Sequence, residues 1–99
     1  MDREKHGGWT YIMADRYRGT IYVGVTSDLS ARVSRHRSGK GSDFCARYEL
    51  KRLVWAESFA SIEEAITFEK RLKRWRRDWK LDLIEKANPD WADLYDHLI

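Results

Sequence analysis

Two β-rich runs stand almost back to back near the start of this chain. "WTYIMA" covers residues 9–14 and "TIYVGV" covers residues 20–25, with only "DRYRG" between them. A link this short leaves no room for a crossover, so the runs are expected to pair as an antiparallel hairpin. If Asp15 to Arg18 make the turn, position 14 pairs with 19 and Tyr11 lies directly opposite Tyr22. Both phenols then share one face of the hairpin. A third run, "LKRLVWAES", alternates through Leu53 and Trp55, which are expected on one side.

The other segments read as helices and one long loop. Asp28 is placed to cap a helix over "LSARVSRH". "RSGKGSDFCARYE" is expected to be a loop, because Gly, Ser and Asp break any period. Ser61 with Glu64 three residues on forms a capping box that opens a helix to about Arg76. Asp78 is a cap for a further helix to about Ala87. Asn88-Pro89 then reads as the start of a last helix carrying Trp91, Leu94, Tyr95 and Leu98. The expected order is ββαβααα. At 99 residues the chain has room for one core, so residues 9–99 are expected to be one domain behind a short flexible tail, residues 1–8, "MDREKHGG".

Composition removes several classes. Five Trp and five Tyr argue against disorder. The single cysteine, Cys45, excludes an intrachain disulfide and fits a reducing compartment. No apolar run approaches the roughly 18 residues of a membrane span, and the charged start lacks the apolar middle of a signal peptide. A cytoplasmic protein with no membrane partner is the expectation. The net charge of +3 is modest, but "ARVSRHRSGKG" has no acid, and "EKRLKRWRRDWK" is strongly basic. Two basic patches in a chain otherwise rich in carboxylates suggest a polyanionic partner on one face. Lys40, Arg47, Lys70, Lys73 and Arg74 are candidates for nucleic-acid backbone contacts. "SGKGS" lacks the earlier glycine and the preceding strand of a nucleotide-binding loop. Trp75 and Trp79 are expected to pack in the core rather than to stack on bases.

The helical periods break at informative places. With about 100° per residue, Leu29, Arg32, Val33 and His36 fall on one face of the first helix. Arg32 and His36 suit that face only if it lines a polar, partly buried site. On the helix after Ser61, Glu69 shares a stripe with Ile62, Ala65, Ile66 and Leu72. A carboxylate there is expected to be paired or to bind a metal. Two readings stay open: a structural ion pair with Arg32, or a metal ligand. Two phenols, a guanidinium, an imidazole and a carboxylate make a set suited to a phosphodiester.

With those residues in place the chain resembles a known family. "TYI" ahead of "YVG", then "DLSARVSRH", then "EAITFEKRLKRW", is similar to the GIY-YIG nuclease superfamily, in particular its small standalone bacterial members. The resemblance spans about residues 9–83. It implies an α/β (α+β) fold with a three-stranded antiparallel sheet flanked by helices. It also implies one divalent ion, Mg²⁺ or Mn²⁺, and hydrolysis of DNA, with branched, damaged or single-stranded forms as substrates and repair or recombination as a setting. By position, Tyr11, Tyr22, Arg32, His36 and Glu69 match the family's catalytic residues, with Glu69 as the metal ligand. The chain departs from the pattern in having "TYI" for Gly-Ile-Tyr and Val25 where some members have lysine. Several members use a downstream asparagine; Asn88 is instead expected to cap a helix. These departures favour, as the alternative, a nucleic-acid-binding module with little or no catalysis. A partner-binding domain using the aromatic C-terminal helix is a third reading.

Overall fold

The computed structural model describes residues 7–97. Its elements are β1 (Gly8–Ala14), β2 (Ile21–Thr26), α1 (Leu29–Arg37), α2 (Asp43–Tyr48), β3 (Arg52–Phe59), α3 (Ile62–Arg74) and α4 (Arg77–Ala87), followed by a 3-10 turn over Leu94–His97. The strands form one antiparallel sheet in the order β2-β1-β3. The fold is α+β, a three-stranded antiparallel sheet flanked by helices. Gly8 opens β1, so the last residue of the expected tail belongs to the sheet, and the Gly7 amide is tied to it through Phe59 O at 3.1 Å. Residues 1–6 and 98–99, Leu98 of the expected last helix among them, lie outside the described residues.

The hairpin register differs from expectation by two residues. Ala14 pairs with Ile21, so Tyr11 lies opposite Gly24 and Tyr22 opposite Met13. The connection is longer because Asp15 organises it: its carboxylate accepts from the Thr20 amide at 2.8 Å, and its own amide donates to Thr20 O. Within that loop the Gly19 amide closes a turn on Arg16 O, with Arg18 left-handed at φ 54°. A shift of two residues preserves facing. Tyr11 and Tyr22 therefore still share a face, as diagonal rather than direct neighbours.

A bulge changes the third strand. Ile12 pairs with Trp55 and Met13 with Leu53, which leaves Val54 as the extra residue. Leu53 and Trp55, expected on one side, consequently face opposite sides. Two cores result, one on each face of the sheet. Ile12, Ala14, Val23, Val54 and Trp55 pack with Leu72 of α3 and Ile84 of α4. On the other face Tyr11, Met13 and Leu53 pack with Leu29 and Val33 of α1 and Cys45 of α2.

The helix starts follow their caps. Asp28 accepts from the Ala31 amide at 3.2 Å, and Ser61 from the Glu64 amide at 3.1 Å. α4 begins differently, with Arg76 at the cap position and Asp78 in the first turn accepting from the Trp79 amide. The long loop contains the unexpected α2, capped by Ser42 on the Cys45 amide at 3.1 Å. The expected last helix does not form. Asn88 is buried and ends α4 instead of starting a helix: its Nδ2 donates to Val54 O at 3.0 Å and Ala92 O at 2.9 Å, and its Oδ1 accepts from the Ala92 amide. Trp91 then takes a left-handed φ of 55°, which an α-helix does not tolerate. Its buried indole donates to Glu85 at 2.7 Å.

Candidate active site

Four of the five candidate residues converge on the face covered by α1. β1 delivers Tyr11 and β2 delivers Tyr22, while α1 turns Arg32 and His36 toward them from successive turns. The Tyr11 hydroxyl shares a 2.8 Å hydrogen bond with His36 Nε2, and Arg32 Nε donates to the same hydroxyl at 3.4 Å. The Tyr22 ring lies 6.5 Å from the Tyr11 ring and 5.7 Å from the His36 ring. Tyr11 and His36 are buried, whereas Arg32 and Tyr22 are half-buried and open toward solvent.

The backbone approach that permits this cluster comes from Gly24. A Cβ there would lie 2.5 Å from the Tyr11 Cζ and hydroxyl oxygen. Gly41 does the same for His36, since a Cβ at that position would overlap the imidazole at Nδ1. The second glycine in "SGKGS", Gly41, is thus a contact residue of the cluster.

Burial sets the protonation states. Desolvation pushes the Tyr11 phenol up to about 12, partly opposed by its hydrogen bond with Arg32. The Tyr11 hydrogen bond, ahead of the other contributions, holds the Arg32 guanidinium firmly in its charged form. Burial, then the charges of Arg32 and Arg35, lower His36 to about 4. His36 is therefore a neutral imidazole near pH 7. With Arg32 donating to the Tyr11 oxygen, the phenol proton points to Nε2, which puts the imidazole proton on Nδ1. That buried Nδ1 has no hydrogen-bond partner among the described residues, and such an orphan in a folded protein marks a place worth an explanation.

Glu69 makes no hydrogen bond or ion pair with these four among the described residues. It is buried on α3 beside Ala65 and Leu72, as its stripe required. The helix packs against β1 and the edge strand β2, on the sheet face opposite α1. Its ion-pair partner is Lys73, one turn on, at 2.6 Å. The structural pair with Arg32 does not form; Arg32 bonds Tyr11 instead.

The donor set limits which metal fits. Among the described residues no three His, Cys, Asp or Glu side chains group as a cage, which rules out a closed zinc-type site built from them. A single buried carboxylate suits a hard divalent ion that keeps most of its waters, as Mg²⁺ does. The Lys73 ammonium, half-exposed at its tip, is the one cation such an ion would replace on Glu69.

The expected backbone-contact residues distribute over both sides of the sheet. Lys40 follows α1 and Arg47 sits on α2, both exposed, while Lys70 and Arg74 are exposed on α3. Lys73 is committed to Glu69. Trp75 packs against the α3–α4 core, but Trp79 is exposed and lies under Arg76 at 5.1 Å, against the expectation of core packing. Reading α2 as loop also hid Phe44 and Tyr48, whose rings continue outward from Tyr22. Ser42 as a cap, with two aromatics four residues apart behind it, was the available signal.

Comparison with known proteins gives a consistent result. The GIY-YIG catalytic domain family matches residues 7–82. A UPF0213 protein of Streptococcus pneumoniae serotype 4 is 38% identical over 82 residues, covering 82% of this chain and 81% of its own. A UPF0213 protein of Bacillus pumilus is 34% identical over 96 residues, covering 95% of each. A UPF0213 protein of Aeromonas salmonicida is 32% identical over 88 residues, 88% of this chain and 63% of its own. No solved structure matches the chain.

Proposed function

Because the chain belongs to the GIY-YIG catalytic domain family, whose members are nucleases, we propose that it is a divalent-metal-dependent endonuclease that hydrolyses phosphodiester bonds in DNA. The observation that carries this reading is the Tyr11–His36–Arg32 hydrogen-bonded cluster with Tyr22 beside it.

Hydrolysis needs a positioned water and charge neutralisation at phosphorus. Arg32 spends one N–H on Tyr11, and its remaining N–H groups suit a non-bridging phosphate oxygen. Tyr22 is the phenol with an open side, so it positions the attacking water and relays its proton: the oxygen takes the water's proton as the phenol's own proton leaves to solvent. Tyr11 is fully buried and engaged on both sides, and its raised phenol makes it a poor base. It orients Arg32. The neutral His36 imidazole accepts a hydrogen bond from the Tyr11 hydroxyl and locks that orientation without adding a second cation that would repel Arg32. Glu69 is the residue that would hold Mg²⁺ or Mn²⁺, which when bound supplies positive charge to the phosphoryl and leaving oxygens. Lys40, Arg47, Lys70 and Arg74 supply salt-sensitive contacts to the backbone.

The test is cleavage of plasmid, branched and single-stranded DNA with Mg²⁺ and with Mn²⁺. Cutting by the wild type and none by Glu69→Gln supports the enzyme. DNA retardation by both proteins with a steep salt slope and no cutting would establish a binding module instead. Branched, damaged or single-stranded DNA are the substrate forms to rank, with repair or recombination and a cytoplasmic setting as the proposed context. No helix of the described residues is long and apolar enough to cross a membrane.

A further inference from the structure

Exposed aromatic side chains are few among the described residues, and two of them touch. Phe44 is 43% exposed and Tyr48 48% exposed, on consecutive turns of α2. Their ring centroids are 4.8 Å apart, and Phe44 stacks on Tyr22 at 6.1 Å with 28° between the planes. An aromatic ladder therefore runs from buried His36 through Tyr22 and Phe44 to Tyr48 at the surface. The other exposed aromatics are engaged elsewhere: Tyr17 lies edge-on to Trp91, and Trp79 lies under Arg76.

We propose that Phe44 and Tyr48 form a stacking platform for an unpaired nucleobase of a DNA strand whose neighbouring phosphate lies at Tyr22 and Arg32. This deepens the nuclease reading and rests on it. The chemistry of the hollow beside the rings selects a base over other occupants. Phe44 and Tyr48 line it together with Arg47 and Asp43. The Asp43 carboxylate disfavours a phosphate in the hollow itself but accepts from the amino and imino groups of a base edge. Arg47 forms no ion pair among the described residues and is free to meet the strand's backbone. Bases in a duplex have their faces covered by neighbours, so a platform on the protein surface reaches only an unstacked base. α2 buries Cys45 alone, so its two exposed rings are not required to close the core.

The test is binding, measured in EDTA so that no cleavage intervenes. Fluorescence anisotropy of the full chain is compared on a single strand of about twelve nucleotides and on its duplex. The expected result is that the Phe44→Ala/Tyr48→Ala double variant weakens single-strand binding about tenfold or more and duplex binding less than about twofold. Phe44→Leu and Tyr48→Leu retain bulk without a π-face, so they show the same selective loss even if the double alanine variant does not fold. Phe44→Tyr and Tyr48→Phe retain wild-type affinity. Equal loss on both DNA forms, no loss on the single strand, or no single-strand binding by the wild type overturns the platform. The nuclease reading fails separately, by absence of metal-dependent cutting on any DNA form.

Discussion

Gly24 lies directly opposite Tyr11 in the β1–β2 ladder, and the Tyr11 phenol occupies the space where any other residue at 24 would put its Cβ. The glycine of "YVG" is thereby explained sterically. The phenol reaches His36 and Arg32 only by lying across the backbone of the neighbouring strand.

Gly24→Ala is expected to displace that phenol, because its far end is buried and held by two partners. Overpacking of this kind costs about 1–3 kcal/mol, which lowers the melting temperature by roughly 4–8 °C per kcal/mol in a domain this size. Cleavage should fall further than stability explains, since Arg32 loses its orienting bond. A Gly24→Ala protein with wild-type melting and wild-type turnover would show that the close approach is dispensable.

Much of this arrangement was legible in the residues, and the misses have physical causes. The period of α1 and the stripe of α3 placed Arg32, His36 and Glu69 on inward faces, because side-chain direction in a helix follows from spacing alone. The hairpin's facing survived a two-residue error in register, since strand facing has a period of two. Leu53 and Trp55 could not be placed, because the bulge at Val54 arises from pairing with β1 rather than from local pattern. Asn88 and Trp91 misled for a similar reason. Their local preferences suggest a helix start, but a long-range bond to Val54 O and a left-handed residue decide the backbone there.

His36 makes stability depend on pH in one direction. Its ordinary value is 6.5 and the fold lowers it to about 4. Below 6.5 the unfolded chain takes up a proton that the folded chain refuses, so stability is full above that value and is lost as pH falls toward 4. The contribution is up to about 3 kcal/mol. Urea midpoints at neutral and mildly acid pH should therefore diverge less in His36→Gln than in the wild type. The comparison isolates His36 from Glu85, which Arg18 and Trp91 hold at about 2 and which titrates later. Identical slopes in both proteins would mean that His36 accepts a proton in the folded state.

Glu69→Gln separates a ligand from a structural ion pair. The substitution removes the charge, keeps the shape and frees Lys73, whose i,i+4 pairing contributes only a few tenths of a kcal/mol by general measure. Melting without metal is expected to stay level or rise, because a buried carboxylate is gone. The stabilising shift produced by Mn²⁺ should disappear, and cleavage should drop about a hundredfold or more. A large fall in melting temperature with cleavage retained would assign Glu69 to the core.

Asn88→Ala tests whether the downstream asparagine is architectural. Its side chain ties α4 to β3 and to Ala92, so removing it strands Val54 O and the Ala92 amide. The expected loss is about 2–3 kcal/mol, read as a lower urea midpoint. Turnover per folded molecule should be unchanged well below the melting point. Lost turnover at unchanged stability would instead bring Asn88 into the reaction.

The two tyrosines should divide stability from catalysis. Tyr11→Phe removes a buried hydroxyl bonded to both His36 and Arg32, leaving the buried His36 Nε2 without a partner and Arg32 without its orienting bond. A loss of about 1–3 kcal/mol follows from stranded buried groups, together with weakened phosphate binding as Arg32 drifts. Tyr22→Phe removes a hydroxyl on the open side of the cluster, so its stability should change by less than about 1 kcal/mol. Its cleavage rate should nevertheless fall about a hundredfold or more, the usual cost of losing a general base. Comparing the two cleavage rates per folded molecule checks the assignment. If the rate falls that far only in Tyr11→Phe, the base is the buried phenol. In that case the Arg32 hydrogen bond must lower it more effectively than burial raises it.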